Sequence, residues 1–315
     1  MAEKIVVIVG PTASGKTRVS IEIAKRFNGS ILSADSMQIY KHMNIGTAKP
    51  TTEEQQDVCH YLMDIVEPYQ EFTVANYLYL ANQIVNQVLL QKKLPIFVGG
   101  TGQYVSSFMN NIHLTQMGGD LNYRSFLQNL AISEGNYVLK QLLFSIDPES
   151  AKKIHVNNLK RLIRALEIYR TSGITMTEQN QRSKIEKSPY EFCLIGLTFG
   201  DRQKLYDRIN DRVEQMFCKG LEAEVRNLYD KGILKEGMNA FQAIGYKQFL
   251  PYFQGKCSLD DVKEMIKIES RHYAKRQLTW WRQNEHIHWF EVDSFDEMDL
   301  LINKIVKTIE IFIKI

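Results

Sequence analysis

Eight residues declare a chemistry by type and spacing: Gly10-Pro11-Thr12-Ala13-Ser14-Gly15-Lys16-Thr17, directly behind the apolar run Ile5-Val6-Val7-Ile8-Val9. The order Gly-x-x-x-x-Gly-Lys-[Ser/Thr], set between a strand pattern and an amphipathic segment, is the context of a phosphate-binding P-loop. Glycines let the backbone curl until successive N–H groups point inward at an anion. Lys16 adds a point charge, and a helix starting near Gly15 aims its positive end at the same spot. Thr17 can place its hydroxyl on Mg²⁺. A chance glycine-rich turn is the alternative, and the correct flanks on both sides weigh against it. The segment is expected to hold a diphosphate or polyphosphate.

Two further strand ends carry reactive groups. Ser33-Ala34-Asp35-Ser36-Met37-Gln38-Ile39-Tyr40 closes the second strand pattern. Ligands gather at the carboxyl ends of strands in open α/β sheets, so Asp35 would face the phosphate site. It could bind Mg²⁺ through water, serve as a general base, or simply cap a following helix. Gln38 and Tyr40 offer hydrogen-bonding and stacking groups that suit a purine better than a sugar. Phe97-Val98-Gly99-Gly100-Thr101-Gly102-Gln103-Tyr104 ends another strand. ATP-splitting P-loop proteins place an acidic, metal-holding residue near such a point. Glycine and threonine stand here instead. A turn needing positive φ explains the glycines but not Thr101, and the missing carboxylate argues against phosphoryl transfer.

Cations cluster in three places. Lys160-Arg161-Leu162-Ile163-Arg164 presents Arg161 and Arg164 on one helical face, and Arg208 and Arg212 stand four apart among Asp207 and Asp211. Arg271, Lys275, Arg276 and Arg282 flank Trp280 and Trp281. That interleaving suits nucleic-acid backbone contact plus base stacking, or an amphipathic helix with core tryptophans and solvated arginines. Residues 1–150 carry 11 Lys/Arg against 13 Asp/Glu, while 151–290 carry 25 against 17. The basic segment points to a polyanionic partner, nucleic acid first, or to a lysine-rich solvated surface.

These residues need a frame. Strand patterns at 4–9, Ser30–Ser33, Tyr61–Ile65, Ile96–Gly99, Phe192–Thr198 and His288–Val292 alternate with helical ones at 16–27, Val74–Gln91, 203–230, 259–283 and 296–313. Such alternation predicts an α/β fold with a parallel sheet. The gap between the fourth and fifth strands is too long for one crossover helix and holds three helical patterns of its own. A P-loop NTPase-like core over 1–112 and 191–315, interrupted by a mostly helical domain at 113–190, is therefore expected.

Composition bounds the rest. The 315 residues are 44% hydrophobic and 24% charged, which fits a soluble globular enzyme rather than a disordered or fibrous chain. No apolar run reaches the roughly 18–20 residues of a membrane span. The chain enters a strand almost at once, without a signal-like region, so a cytoplasmic location is expected. Cys59, Cys193, Cys218 and Cys257 are scattered, with neither a CxxC pair nor a disulfide framework. Reduced, structural cysteines and no zinc site are expected.

Nearly end to end, the sequence resembles the bacterial tRNA dimethylallyltransferase (isopentenyltransferase) family. The shared segments run in order: GPTASGKT at 10–17, SADSMQIY at 33–40, NIGTAKP at 44–50, VGGTGQY at 98–104, NNLKRLIRALEIY at 157–169, DRINDRVEQM at 207–216, GLEAEV at 220–225, AIGYKQF at 243–249 and AKRQLTWWR at 274–282. The resemblance implies transfer of a dimethylallyl group from dimethylallyl diphosphate to the exocyclic amine of the adenosine beside the anticodon. The P-loop residues would hold that diphosphate with Mg²⁺, using Thr17, and no acidic strand end is then needed.

By position, Asp35 would accept the proton of the adenine amine and Thr101 would touch the bridging oxygen of the leaving diphosphate. Arg212, with Arg208 beside it, would neutralise the departing charge, and Lys16 would do so from the other side. Ser36, Met37 and Gln38, with Asp35 and Thr101, would meet the tRNA base. Arg124, the Leu159–Arg164 segment (Leu159, Lys160, Arg161, Leu162, Ile163, Arg164), Arg208, Lys275, Arg276 and Arg282 would hold RNA. The inserted helices would clasp the anticodon stem, and a monomer is expected. The chain departs from the family at Val156 and Asn158, where Pro and Asp are common, and at Gln103, where leucine is frequent. In keeping with the cysteine count, no zinc-finger extension of the eukaryotic type is expected. A related prenyltransferase acting on free AMP, a P-loop small-molecule kinase, and a non-catalytic RNA-binding protein with a relic P-loop are the competing readings.

Overall fold

A computed structural model describes residues 2–112, 120–182 and 187–314. Six parallel strands form one sheet: β1 (Glu3–Val9), β2 (Gly29–Ser33), β3 (His60–Tyr61), β4 (Leu94–Val98), β5 (Tyr190–Thr198) and β6 (His288–Glu291), in the order β3-β2-β4-β1-β5-β6. Val6 lies between Ile96 and Cys193 in the register. β1, rich in β-branched residues, is buried on both faces, as a central parallel strand must be. Fourteen helices are described: α1 (Lys16–Arg26), α2 (Thr52–Gln55), α3 (Val74–Leu90), α4 (Gly102–Met109), α5 (Leu121–Glu134), α6 (Asn136–Ile146), α7 (Pro148–Lys153), α8 (Leu159–Ser172), α9 (Met176–Arg182), α10 (Arg202–Cys218), α11 (Leu221–Asp230), α12 (Phe249–Phe253), α13 (Leu259–Trp281) and α14 (Met298–Lys314).

The chain divides into two compact units, Met1–Met109 with Pro189–Ile315, and Asn110–Ser188. In the first, Val6, Ile8, Ile96, Ile195 and Leu197 meet α1 and α14 through Val19, Ile23, Ile302 and Ile305. The opposite face packs Phe97 on Phe108 of α4, ring centres 4.6 Å apart. A second core gathers α10, α11, α12 and α13 around Tyr40, Val225, Tyr246 and Phe249. The other unit is helical and packs α5, α6 and α8 around Leu127, Leu139, Leu143, Leu162 and Leu166.

Some boundaries differ from the sequence reading. The helical unit runs Asn110–Ser188 rather than 113–190, because Tyr190 already pairs with Glu3 in the sheet. Residues 113–119 and 183–186 of the expected insertion lie outside the described residues. The pattern read as one helix over 203–230 breaks at Gly220, whose φ of 91° lies in the left-handed region. β3 stops at Tyr61 because Leu62 and Asp64 take positive φ. Asn158 caps α8, its side-chain oxygen accepting the Arg161 N–H, so an amide does there what a carboxylate would. Among the described helices, none is long and apolar enough to cross a membrane.

Candidate active site

The strand order explains why three distant motifs meet. β2, β4 and β1 are neighbours, so their carboxyl ends deliver Asp35, Gly99–Thr101 and the P-loop to one edge of the sheet. A cavity of about 680 Å³ opens there. Thr12, Ala13, Ser14, Gly15, Lys16 and Thr17 line it, as do Asp35, Ser36, Met37, Gln38, Arg208, Arg212 and Arg276.

The P-loop curls through positive φ at Gly10, Ala13 and Gly15. It is braced from outside: Gln277 accepts the Thr12 N–H at 2.8 Å, and Arg208 donates to the Ala13 carbonyl at 3.0 Å. Gln277 also crowds the end of β4, where any side chain on Gly100 would collide with its amide. Ser14 lines the cavity, and its buried hydroxyl has no hydrogen-bond partner among the described residues. Lys16 donates to the carbonyls of Gly10 (3.0 Å) and Pro11 (2.7 Å). Burial first, then the Arg212 charge, bring its pKa down to about 7, while Asp35 pulls the other way. Arg212 is likewise pushed down by burial and steadied by Asp35. Its guanidinium makes no ion pair or side-chain hydrogen bond among the described residues. Two cations drawn out of water without bonded acids form an anion receptor.

Asp35 has a fixed orientation. Its Oδ1 accepts the N–H groups of Met37 (2.9 Å) and Gln38 (3.3 Å), the turn-capping use, which leaves Oδ2 for another proton. The segment it caps is a turn rather than the helix the sequence suggested, and capping it is compatible with service as a base. Thr101 stands just behind the Gly99–Gly100 wall rather than on the cavity lining. Its Oγ1 accepts the Ser36 N–H at 3.0 Å and donates to Ser36 Oγ at 3.4 Å.

Not every expected residue points inward. The Gln38 amide is occupied, accepting from Ser33 Oγ and donating to the Thr47 and Ala48 carbonyls, so it braces the wall. Lys275 on α13 and Arg282 just past its end are exposed and do not line the cavity. Trp281 is core, whereas Trp280 is half-exposed and donates to Ser106. In the helical unit Leu162 and Ile163 are buried in the core, which removes them from the RNA-facing set; an apolar residue at 0% or 6% exposure cannot reach a phosphate. Arg124 and Arg164 both bond to the buried Glu167 at 2.6 Å, while Lys160 and Arg161 are exposed. The sequence reading missed Tyr273, Gln277, Glu167 and Glu224. Tyr273 and Gln277 could have been found from their four-residue spacing, which puts them on one face of α13.

Comparison with known proteins places this geometry. The family model described as IPP transferase matches residues 38–284, and one described as isopentenyl transferase matches 3–67. The chain belongs to the IPP transferase family. A tRNA dimethylallyltransferase of Thermoanaerobacter sp. (strain X514) is 47% identical over 98% of each chain. Among solved structures, the full-length tRNA isopentenylpyrophosphate transferase of Bacillus halodurans aligns with a TM-score of 0.73 at 43% identity, covering 98% of this chain and 96% of that one. A eukaryotic dimethylallyltransferase acting on tRNA gives 0.78 at 28% identity, covering 92% and 74%. Membership makes the chain a prenyl-group transferase rather than a phosphoryl-transfer enzyme, and a Gly-Gly-Thr-Gly strand end without an acid is compatible with that.

Proposed function

We propose that the enzyme transfers a dimethylallyl group from dimethylallyl diphosphate to the exocyclic amine of the adenosine 3′-adjacent to the anticodon of tRNA. The observation that carries this reading is the pairing, in one cavity, of an oriented carboxylate with unpaired cations. Asp35 faces Lys16 and Arg212 without bonding to either. A proton acceptor therefore lies opposite a seat for a diphosphate. The relatives named above support the substrate pair, one of them being described as acting on tRNA.

The donor diphosphate rests on the P-loop N–H groups, with Lys16, Arg212 and Arg208 around it. The amine nitrogen bonds to the allylic carbon as the carbon–oxygen bond breaks, and the diphosphate leaves with the electron pair. Arg212 and Lys16 balance that growing charge, and Asp35 Oδ2 takes the amine proton. Thr101 lies off the cavity lining, its Oγ1 accepting the Ser36 N–H and donating to Ser36 Oγ, so it secures the Ser36 turn beside the site rather than reaching the bridging oxygen itself. An aromatic amine is a weak nucleophile, so alignment supplies much of the acceleration.

Among the described residues no group of three His, Cys, Asp or Glu gathers to cage a metal. A hard oxygen donor, the Thr17 hydroxyl, lines the cavity and suits Mg²⁺, which keeps most of its shell for water and ligand oxygens. Bound there, Mg²⁺ would supply positive charge to the leaving diphosphate. Ser36, Met37 and Gln38 form the wall beside a target base taken out of the anticodon-loop stack. Lys160, Arg161, Arg124, Arg164 and the 274–282 segment contact RNA through the inserted helices and α13. The enzyme acts as a cytoplasmic monomer.

The test is transfer of labelled dimethylallyl diphosphate to an anticodon stem-loop with adenines after the anticodon, to AMP, or to no acceptor. Label in the stem-loop alone, with no need of ATP, is the expected result. Label in AMP would move the enzyme to the adenylate branch, and ATP consumption without transfer would make it a kinase.

A further inference from the structure

Three sequence segments that the reaction above leaves without a role converge in the first unit: 44–50, 220–225 and 243–249. Their meeting point is the carboxylate of Glu224, on the first turn of α11. It accepts the backbone N–H groups of Asn44 (3.1 Å), Ile45 (2.9 Å) and Gly46 (3.3 Å), and the Tyr246 hydroxyl at 2.7 Å. Four donors thus share two oxygens. Tyr246 is fully buried, and its ring lies so close to Gly46 that any Cβ there would sit 2.4 Å from it. Only glycine admits this approach.

Both loops held by Glu224 supply cavity wall: Gly46, Thr47 and Ala48 from one, Ala243, Ile244 and Lys247 from the other. The first loop also sets Gln38, whose amide donates to the Thr47 (3.2 Å) and Ala48 (3.4 Å) carbonyls. The 44–48 backbone therefore links Glu224, which holds three of its N–H groups, to Gln38, which holds two of its carbonyls. The P-loop lies outside this linkage, braced by Gln277 and Arg208 instead.

We infer that Glu224 is a positioning residue for the nucleic-acid acceptor: by docking 44–48 against 243–247 it fixes the acceptor wall and Gln38, without setting the diphosphate seat. The inference rests on the function proposed above. A carboxylate is required because every group it meets is a donor. Glutamine in its place turns an NH₂ toward N–H groups and leaves them unsatisfied.

The experiment is steady-state transfer to the stem-loop, with equilibrium binding of dimethylallyl diphosphate, for the wild type, Glu224→Gln and Tyr246→Phe. Expected for Glu224→Gln is a loss of about ten-fold or more in kcat/KM for RNA, the scale of one charge-assisted hydrogen bond, with donor affinity within about two-fold. Tyr246→Phe keeps the three peptide bonds and should shift the same parameter in the same direction by less. It decides the matter if Glu224→Gln does not fold. An unchanged RNA kcat/KM in a folded variant, or equal losses for donor and RNA, overturns the inference. Failure of the wild type to modify the stem-loop overturns the proposed function instead.

Discussion

In the helical unit, Arg124 and Arg164 converge on one buried carboxylate, each 2.6 Å from Glu167. Around the P-loop, Lys16 and Arg212 leave water with no acid bonded to them and lose proton affinity for it. The contrast separates two uses of the same charge. Removing an ion from water costs several kcal/mol unless a partner compensates. Glu167 compensates within the protein, and the Asp120 N–H adds a further bond to it at 3.0 Å. The P-loop cations leave the compensation to an anion that arrives. On this argument Arg124 and Arg164 are partly spent on structure. Exposed Lys160 and Arg161, with no acidic partner among the described residues, are the freer cations for RNA phosphates.

The widest expected effects lie on the unpaired side. Asp35→Ala should reduce turnover by about a thousand-fold, within the range of a lost general base, while stem-loop affinity changes little. Arg212→Ala should cost about a hundred- to a thousand-fold in transfer, the scale of a lost electrostatic donor to the leaving group. Its melting temperature should hold or rise, because an uncompensated buried cation is gone. Turnover and thermal melts on the same samples check both. A clear fall in the Arg212→Ala melting temperature would show that this arginine is structural and break the comparison.

Glu167→Ala should do the reverse. Two half-exposed arginines and a peptide N–H lose their shared acceptor, for a loss of about 1–3 kcal/mol seen in urea unfolding. Burial pushes the Glu167 carboxyl up, but the hydrogen bonds from Arg124 and Arg164 outweigh it and hold the group below the usual carboxylate range. That contribution is present above the ordinary glutamate pKa and is lost as pH falls through the lowered one. Lys160→Ala and Arg161→Ala should leave stability within about 0.5 kcal/mol, weaken RNA binding, and each reduce its salt slope by about one.

What the sequence disclosed and what it concealed follow the same division between local and distant. The P-loop, the Asp35 turn and the Gly-Gly-Thr-Gly strand end are legible because each is a contiguous pattern with a fixed backbone consequence. Strand existence was legible from apolar runs; strand extent was not, since Leu62 and Asp64 end β3 by adopting positive φ. Glu224 was hidden because three of its four donors are peptide N–H groups about 180 residues away in sequence, which carry no residue signature. Glu167 was hidden for a related reason. On α8 it reads as one acid among arginines, and only the fold buries it and brings Arg124 across from α5. Leu162 and Ile163 show the converse error, where a run quoted for its cations carried two core residues with it.

The most direct probe of the uncompensated charge is the pH dependence of stability at Lys16. The Lys16 ammonium titrates near 7 in the folded protein against 10.5 in an unfolded chain. Between those values the unfolded state binds the proton and the folded state does not, so stability rises with pH across that window. The cost is fully present below about pH 7 and gone above the unfolded value. Lys16→Met should therefore be more stable than the wild type at about pH 6 and indistinguishable from it by about pH 10.5 in urea unfolding. Pyrophosphate should invert the order at the lower pH, because only the lysine form gains a partner for its charge. A stability difference that is flat across pH would mean that the Gly10 and Pro11 carbonyls already satisfy the ammonium, and that the P-loop stores no charge imbalance for its ligand to relieve.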